Sequence, residues 1–353
     1  MLGAPHQGQA MLELQNVLYV VTQGTFLRLD HDSVRVDVEG EMRARFPLVS
    51  LSGIVVMGRV TVSPALIERC AEDGRSLVWL TRHGRFVGRV EGRTKGNVLL
   101  RRAQHLALND HQRVLDTARY VVLGKMHNAR HLLLRAARDA TDPQEAERLG
   151  AFAGRIAEDI ERAAVVADLE TLRGTEGDAA RAYFAAFPLA VRGDRDVFSP
   201  DGWTRRPPRD RMNSLLSFLY ALVRSECTAA LEGVGLDPQV GYLHSLRPGR
   251  PALALDLMEE FRPPVADRLA LTLVNRRQVR HGHFEELPGG AIYLTEEGRR
   301  TVLTAYQQRK GEPVRHRLLK RTVPVGLLPH VQARLLARYL RGELDAYVPF
   351  VPR

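Results

Sequence analysis

The chain changes texture once, near residue 96, and that change restricts its fold more than any other feature. From Leu12 to Gly92 the pattern is strand-like, with Val34, Val36 and Val38 alternating with Arg35 and Asp37. A period of two is the mark of a half-buried strand. Asp30-His31-Asp32-Ser33, just before that run, predicts a hairpin turn. Ile54-Val55-Val56-Met57 and Leu77-Val78-Trp79-Leu80 read as buried strands. Between them Ser63-Pro64 sets an N-cap before proline at the first helical position, opening a short helix to Asp73 that Gly74 ends. Gly88, Gly92 and Gly96, mixed with Arg89, Arg93 and Lys95, mark a linker. From Asn97 onward the chain is rich in Ala, Leu and Arg at helical spacing.

The expected fold is therefore α+β. A small, mostly-β domain over residues 11–90 is joined by a linker at 91–96 to a larger all-helical domain over 97–353. Residues 1–10 carry no such pattern and are expected to be a tag remnant or an extra N-terminus. In the second part, residues 145–172 read as one or two helices with Gly174 as a stop, so Glu176 is expected near the next helix start. Residues 213–231 form an amphipathic helix with Leu216, Leu219, Tyr220 and Val223 on one face, ended by Gly233 and Gly235. A short helix through Met258–Arg262 meets Pro263-Pro264, which do not extend an α-helix easily, and a last helix covers 331–344.

Charge narrows the partners. There are 51 Lys+Arg against 41 Asp+Glu, a net charge of +10, which favours contact with a polyanion. The only two cysteines, Cys70 and Cys227, read as small buried hydrophobes, and no C-x-x-C is present. A disulfide framework and a zinc ribbon are excluded, and a reducing cytoplasm is the expected location. No apolar run approaches the roughly 18 residues of a membrane span, so no membrane role is expected. G-x-x-x-x-G-K-[ST], G-x-S-x-G and a dinucleotide fingerprint are all missing, which removes P-loop hydrolysis and the commonest hydrolase elbow.

Four positions could carry chemistry. Asp256 and Glu259 stand at i, i+3, on one helix face beside Leu253 and Leu255. Two such acids near apolar residues repel each other unless a cation joins them. On spacing alone a solvated acidic face, completed by Glu260 and Arg262, is the commoner outcome. His244 follows Gly241 in Gly-Tyr-Leu-His; a lone histidine is more often packed than a ligand. Glu176, in Gly-Thr-Glu-Gly, serves equally as a helix-dipole charge. Together, carboxylates and one imidazole suit Mg²⁺ or Mn²⁺, and spacing leaves their convergence open.

Basic residues form several groups. His127, His131, Arg135 and Arg138 follow one helical stripe, flanked by Lys125 and Arg130. Arg205, Arg206, Arg209 and Arg211 crowd a Pro-containing loop, and Arg276, Arg277 and Arg280 form another group, as do residues 315–321. Each alone is usually a solvated face. Several in one domain suit a surface that tracks phosphates. Aromatic residues are not interleaved with them, which argues against base stacking as the main mode.

An ordered set of motifs then resembles a known family. Arg173-Gly174-Thr175-Glu176-Gly177 is followed by Arg206-Pro207-Pro208-Arg209-Asp210 with Asn213-Ser214-Leu215-Leu216 and Tyr220. Gly241-Tyr242-Leu243-His244 comes next, and Asp256-Leu257-Met258-Glu259-Glu260-Phe261-Arg262-Pro263 closes the set. Leu14-Gln15-Asn16-Val17-Leu18-Tyr19-Val20, residues 50–62, Gly96–Arg102 and Lys125-Met126-His127-Asn128 add weaker matches. From about Met11 to Pro352 the chain resembles the CRISPR-associated spacer-acquisition integrases, the Cas-one family, and most of all the subtype I-C branch.

The resemblance implies metal-dependent DNA integrase and endonuclease activity. A 3′-hydroxyl of short incoming DNA would attack a phosphodiester at the border of a CRISPR repeat. It implies Glu176, His244 and Glu259 as ligands of Mg²⁺ or Mn²⁺, with Asp256 a second partner or alternate ligand in the catalytic group. Lys125, Arg130, Arg135, Arg205, Arg206, Arg209, Arg276 and Arg277 would contact double-stranded DNA. It further implies a homodimer through the β domain, a Cas-two protein bridging two dimers, and a Cas-four nuclease partner. Two rivals stand beside it: a non-catalytic basic DNA-binding scaffold, and an unrelated metal-dependent RNA nuclease.

Overall fold

Residues 16–84, 86–90, 92, 98–200 and 207–352 are described by the structure, a computed structural model. The first part holds β1 (Asn16–Val20), β2 (Thr25–Asp30), β3 (Ser33–Val38), β4 (Glu41–Pro47), β5 (Leu51–Met57), β6 (Thr61–Val62), α1 (Pro64–Asp73), β7 (Ser76–Leu80) and β8 (Phe86–Val90). They form two four-stranded sheets, ordered β1-β5-β7-β8 and β4-β3-β2-β6. The expected turn joins β2 to β3: Asp30 pairs with Ser33, and His31 takes the positive φ of 53° that so tight a turn demands. Ser63 caps α1 by accepting from the Leu66 N–H, and Gly74 ends it.

Strand β5 explains how the first part meets the second. Ile54 and Val56 face a small core with Leu27, Val34, Leu66 and Leu77. Val55 and Met57, on the opposite face, join the large core of the helical part. The unbroken apolar run thus reflects a strand covered on both sides. Arg82 pairs with Glu285 at 3.0 Å across the same junction.

The second part contains α2 (Val98–Leu106), α3 (His111–Asp139), α4 (Pro143–Val165), α5 (Leu169–Ala190), α6 (Arg195–Phe198), α7 (Arg211–Val234), α8 (Ala252–Glu259) and α9 (Arg268–Asn275). After β9 (Phe284–Leu287) and β10 (Ala291–Leu294) come α10 (Glu296–Gly311), β11 (Pro313–His316), β12 (Arg321–Pro324) and α11 (Leu328–Leu340). It is helix-rich as expected, with two antiparallel hairpins, β9–β10 and β11–β12, added to the helices. These strands are four residues each, too short for a period of two to stand out in the sequence.

Three local expectations are corrected. Gly174 stops nothing: it lies inside α5, whose start is set by Asp168 accepting from the Thr171 N–H, so Glu176 is mid-helix. Gly233 also lies within α7, and Gly235 at φ +87° is the residue that ends it. Pro263-Pro264 do not end the helical path; Arg262–Asp267 forms a wide π turn that leads into α9. The looser i→i+5 pattern absorbs prolines that an α-helix interior would reject. Cys70 and Cys227 are buried and free. Among the described residues, no helix is long and apolar enough to cross a membrane.

Candidate active site

The helices α3, α5 and α8 bring the site together. Glu176 comes from the middle of α5, and Asp256 and Glu259 from α8. His244 lies in the segment between α7 and α8. Asp256, Glu259 and Glu260 are all buried, which overturns the solvated-face reading of that acidic stretch. Tertiary packing, invisible in i, i+3 spacing, decides the point.

Asp256 works as an anchor. Its Oδ2 accepts from the Tyr242 N–H at 2.6 Å and the Leu243 N–H at 3.1 Å. Its Oδ1 accepts from the His244 N–H at 3.0 Å and contacts His244 Nδ1 at 2.7 Å. A carboxylate beside Nδ1 places the imidazole proton there and leaves Nε2 free with its lone pair. Nε2 lies 4.0 Å from Glu259 Oε1. Gly241 makes the approach possible, because a Cβ there would stand 2.6 Å from the Ala252 carbonyl carbon and 2.8 Å from Asp256 Oδ2. Arg173, one turn before Glu176 on α5, donates to the Leu243 carbonyl at 2.9 and 2.6 Å and ties the His244 segment to that helix.

Glu259 is held from the other side by Arg262, whose Nη1 donates to its two oxygens at 3.2 and 3.3 Å. The Arg262 guanidinium lies 4.3 Å over the Tyr220 ring. Behind it, Asp267 accepts from Tyr183 OH at 2.7 Å and Tyr220 OH at 2.5 Å. Burial alone would raise the Glu259 carboxyl, but Arg262, Lys125 and His244 overcome it and hold Glu259 well below the usual carboxylate range. For Asp267 burial wins over Arg262 and the two tyrosines, and its carboxyl is raised to about 6.

Lys125 corrects the expectation of a DNA-facing cation: its side chain is only 16% exposed. Its ammonium donates to Glu176 and lies 2.7 Å from Glu259 Oε2, bridging the two carboxylates. Burial works against its charge, but Glu259 and Glu176 together raise its pKa. Sequence reasoning also missed Arg173, Arg262, Asp267 and Tyr183 as supports. Arg and an acid three residues apart on a helix, in Arg173 and Glu176 and in Glu259 and Arg262, were the available signal.

The donors suit Mg²⁺ or Mn²⁺ in kind: two carboxylates and an imidazole with its second nitrogen already bound to a carboxylate. As they stand, no three His, Cys, Asp or Glu side chains among the described residues are close enough together to hold an ion. The Lys125 ammonium takes the place between Glu176 and Glu259, pairing with both carboxylates.

A cavity of about 850 Å³ opens beside the site, between α3, the end of α5 and α9. Arg135, Arg192, Arg268 and Arg276 line it, and Pro263 reaches both this cavity and the small pocket at Lys125 and Glu176. Of the other basic positions, Arg209 and Arg277 are exposed and Arg130 is half-buried on α3. Arg205 and Arg206 lie outside the described residues.

Acids and an imidazole beside an arginine-lined groove form a candidate site whose chemistry suits a phosphate-bearing substrate. A family model described as "CRISPR associated protein Cas1" matches residues 18–308. CRISPR-associated endonuclease Cas1 1 of Moorella thermoacetica is 52% identical over 96% of this chain and 99% of its own length. A Cas4 exonuclease/Cas1 endonuclease fusion of Geobacter sulfurreducens is 37% identical over 95% of this chain and 60% of its own. Among solved structures, a Cas1 protein from Thermotoga maritima is similar at 25% identity and TM-score 0.81, covering 94% of this chain and 99% of that one. A casposase bound to integration product has TM-score 0.81 at 19% identity, covering 95% and 93%. A Cas6-RT-Cas1–Cas2 complex has TM-score 0.80 at 21% identity, covering 96% of this chain and 36% of that one. The chain belongs to the Cas1 family of CRISPR-associated endonucleases.

Proposed function

We propose that this chain is a metal-dependent DNA integrase and endonuclease that joins 3′-hydroxyl ends of short DNA to CRISPR repeat borders. The observation that carries this reading is that Lys125 bridges Glu176 and Glu259 while His244 Nε2 lies 4.0 Å from Glu259 Oε1, all from segments far apart in sequence. Mg²⁺ or Mn²⁺ held there would supply Lewis-acid polarisation of the scissile phosphodiester. The chain's own residues do the rest. Asp256 keeps the His244 proton on Nδ1, so that Nε2 can donate its lone pair. Arg262 fixes the Glu259 carboxylate and keeps it ionised. Arg135 and Arg276 neutralise DNA phosphates along the groove, positioning the duplex without reading its sequence.

The reading extends to partners. A homodimer through the β-rich part, a Cas2 bridge and a Cas4 nuclease partner are proposed. The Cas1–Cas2 complex and the Cas4/Cas1 fusion among the similar proteins support the last two. Assignment to the subtype I-C branch and a cytoplasmic location belong to the same proposal.

The test is strand joining and cleavage of DNA with Mg²⁺ or Mn²⁺, with a chelator control and with RNA alongside. Glu176→Ala, His244→Ala and Glu259→Ala should each abolish both reactions and leave DNA binding mostly intact. Full activity in any of the three removes that residue from the site, and cleavage of RNA alone removes the DNA reading.

A further inference from the structure

Lys125 is a buried cation on the same two carboxylates that a divalent ion would use. Its ammonium bridges Glu176 and Glu259, while His244 Nε2 waits 4.0 Å from Glu259. Ammonium and metal cannot both take the space between these oxygens. Binding a metal therefore requires breaking two charge-assisted bonds, and the freed ammonium then needs a new anion. Its four-carbon stem lets it swing without moving α3. Pro263 lines both the small pocket at Lys125 and Glu176 and the cavity lined by Arg135, Arg268 and Arg276. A phosphate on the arginine-lined side of Pro263 is the anion the displaced ammonium would take up.

We infer that Lys125 is a resident counter-ion that competes with the metal, and that a DNA phosphate relieves the competition by taking up the ammonium. Metal loading is thereby coupled to DNA binding. The inference rests on the DNA-processing reading of the site. Without DNA, Lys125 keeps the carboxylates paired and metal affinity low. With DNA, the ammonium moves to the phosphate and the carboxylates open to the ion. Coupling of this kind is reciprocal: metal tightens DNA binding by the factor by which DNA tightens metal binding.

The test is Mn²⁺ binding by the full-length protein, read by electron paramagnetic resonance of the free ion, with and without a short DNA duplex. Lys125→Met should bind Mn²⁺ without DNA at least about tenfold tighter than wild type, the weight of one charge-assisted hydrogen bond. DNA should tighten Mn²⁺ binding in wild type by a larger factor than in the variant. Lys125→Gln, which keeps a polar end without the charge, gives the same comparison if the Met variant does not fold. Unchanged or weaker Mn²⁺ affinity in the uncharged variants overturns the competition. An equal DNA effect in wild type and variant overturns the coupling. If wild type binds no DNA at all, the DNA-processing reading fails, and the comparison without DNA still decides whether Lys125 competes.

Discussion

At the residue scale, the site depends on carboxylates that never need to touch substrate. Asp256 accepts from three successive backbone N–H groups and from the imidazole, so its charge sets both the shape of the segment and the orientation of His244. Asp256→Asn should lower metal-supported DNA cleavage by roughly 10–100-fold, the usual effect of losing a group that orients a ligand; cleavage kinetics with Mn²⁺ provide the check. Asp267 gives a pH signature. Its folded carboxyl sits at about 6, above its ordinary value, so the folded state holds a proton that the unfolded state releases. That stability is present at low pH and is lost as pH rises through about 6. Wild type should therefore gain stability relative to Asp267→Asn as pH falls from about 6 to about 4, by on the order of 1–3 kcal/mol. Urea titrations at several pH values measure it, and a flat or opposite difference counts against the buried proton. The sequence singled out Glu176, His244, Asp256 and Glu259 as candidates, because the motifs that hold them were legible. It could not carry the role of Lys125, since a lysine beside two histidines on a helix reads as a surface cation until its neighbours are known.

At the scale of elements, the decisive contact is that of the His244 segment on α8. Gly241 lies against Ala252 with no room for a side chain. Gly241→Ala should push this segment off α8 and cost about 1–3 kcal/mol, as overpacking usually does. Cleavage should fall with it, because His244 moves with the segment; thermal melting and cleavage assays together test both. Glu260 shows a second element-level link. It accepts from Tyr347 OH at 2.5 Å and from Gln332 at 3.0 Å, and takes the Phe350 N–H as well, so the end of the chain is fastened beside Glu259. Element types were mostly readable from periodicity and caps, as the Ser63-Pro64 start of α1 shows. Gly174 misled because glycine marks a helix end only when the backbone there turns left-handed, and in α5 it does not. The π turn at Arg262–Asp267 was hidden for a related reason: two prolines forbid an α-helical interior but not a wider turn.

At the scale of the whole molecule, the positive charge becomes useful only where the fold concentrates it. Arg135 on α3 and Arg276 beyond α9 are 141 positions apart in numbering, yet they line one cavity. DNA affinity should fall steeply with added salt, and Arg135→Ala or Arg276→Ala should each reduce the slope of log affinity against log salt by about 1. Filter binding or anisotropy across a salt series checks this, and an unchanged slope removes that arginine from the phosphate contacts. The sequence by itself determined the two textures of the chain, most element types and the residues from which a site could be made. These follow from local rules: side-chain period, capping and turn chemistry act over a few residues. Only the tertiary structure decided that Asp256 orients rather than faces solvent, that Lys125 lies between Glu176 and Glu259, and that scattered arginines share a groove. Burial and charge pairing depend on which segments meet, and that is set by packing across the whole chain.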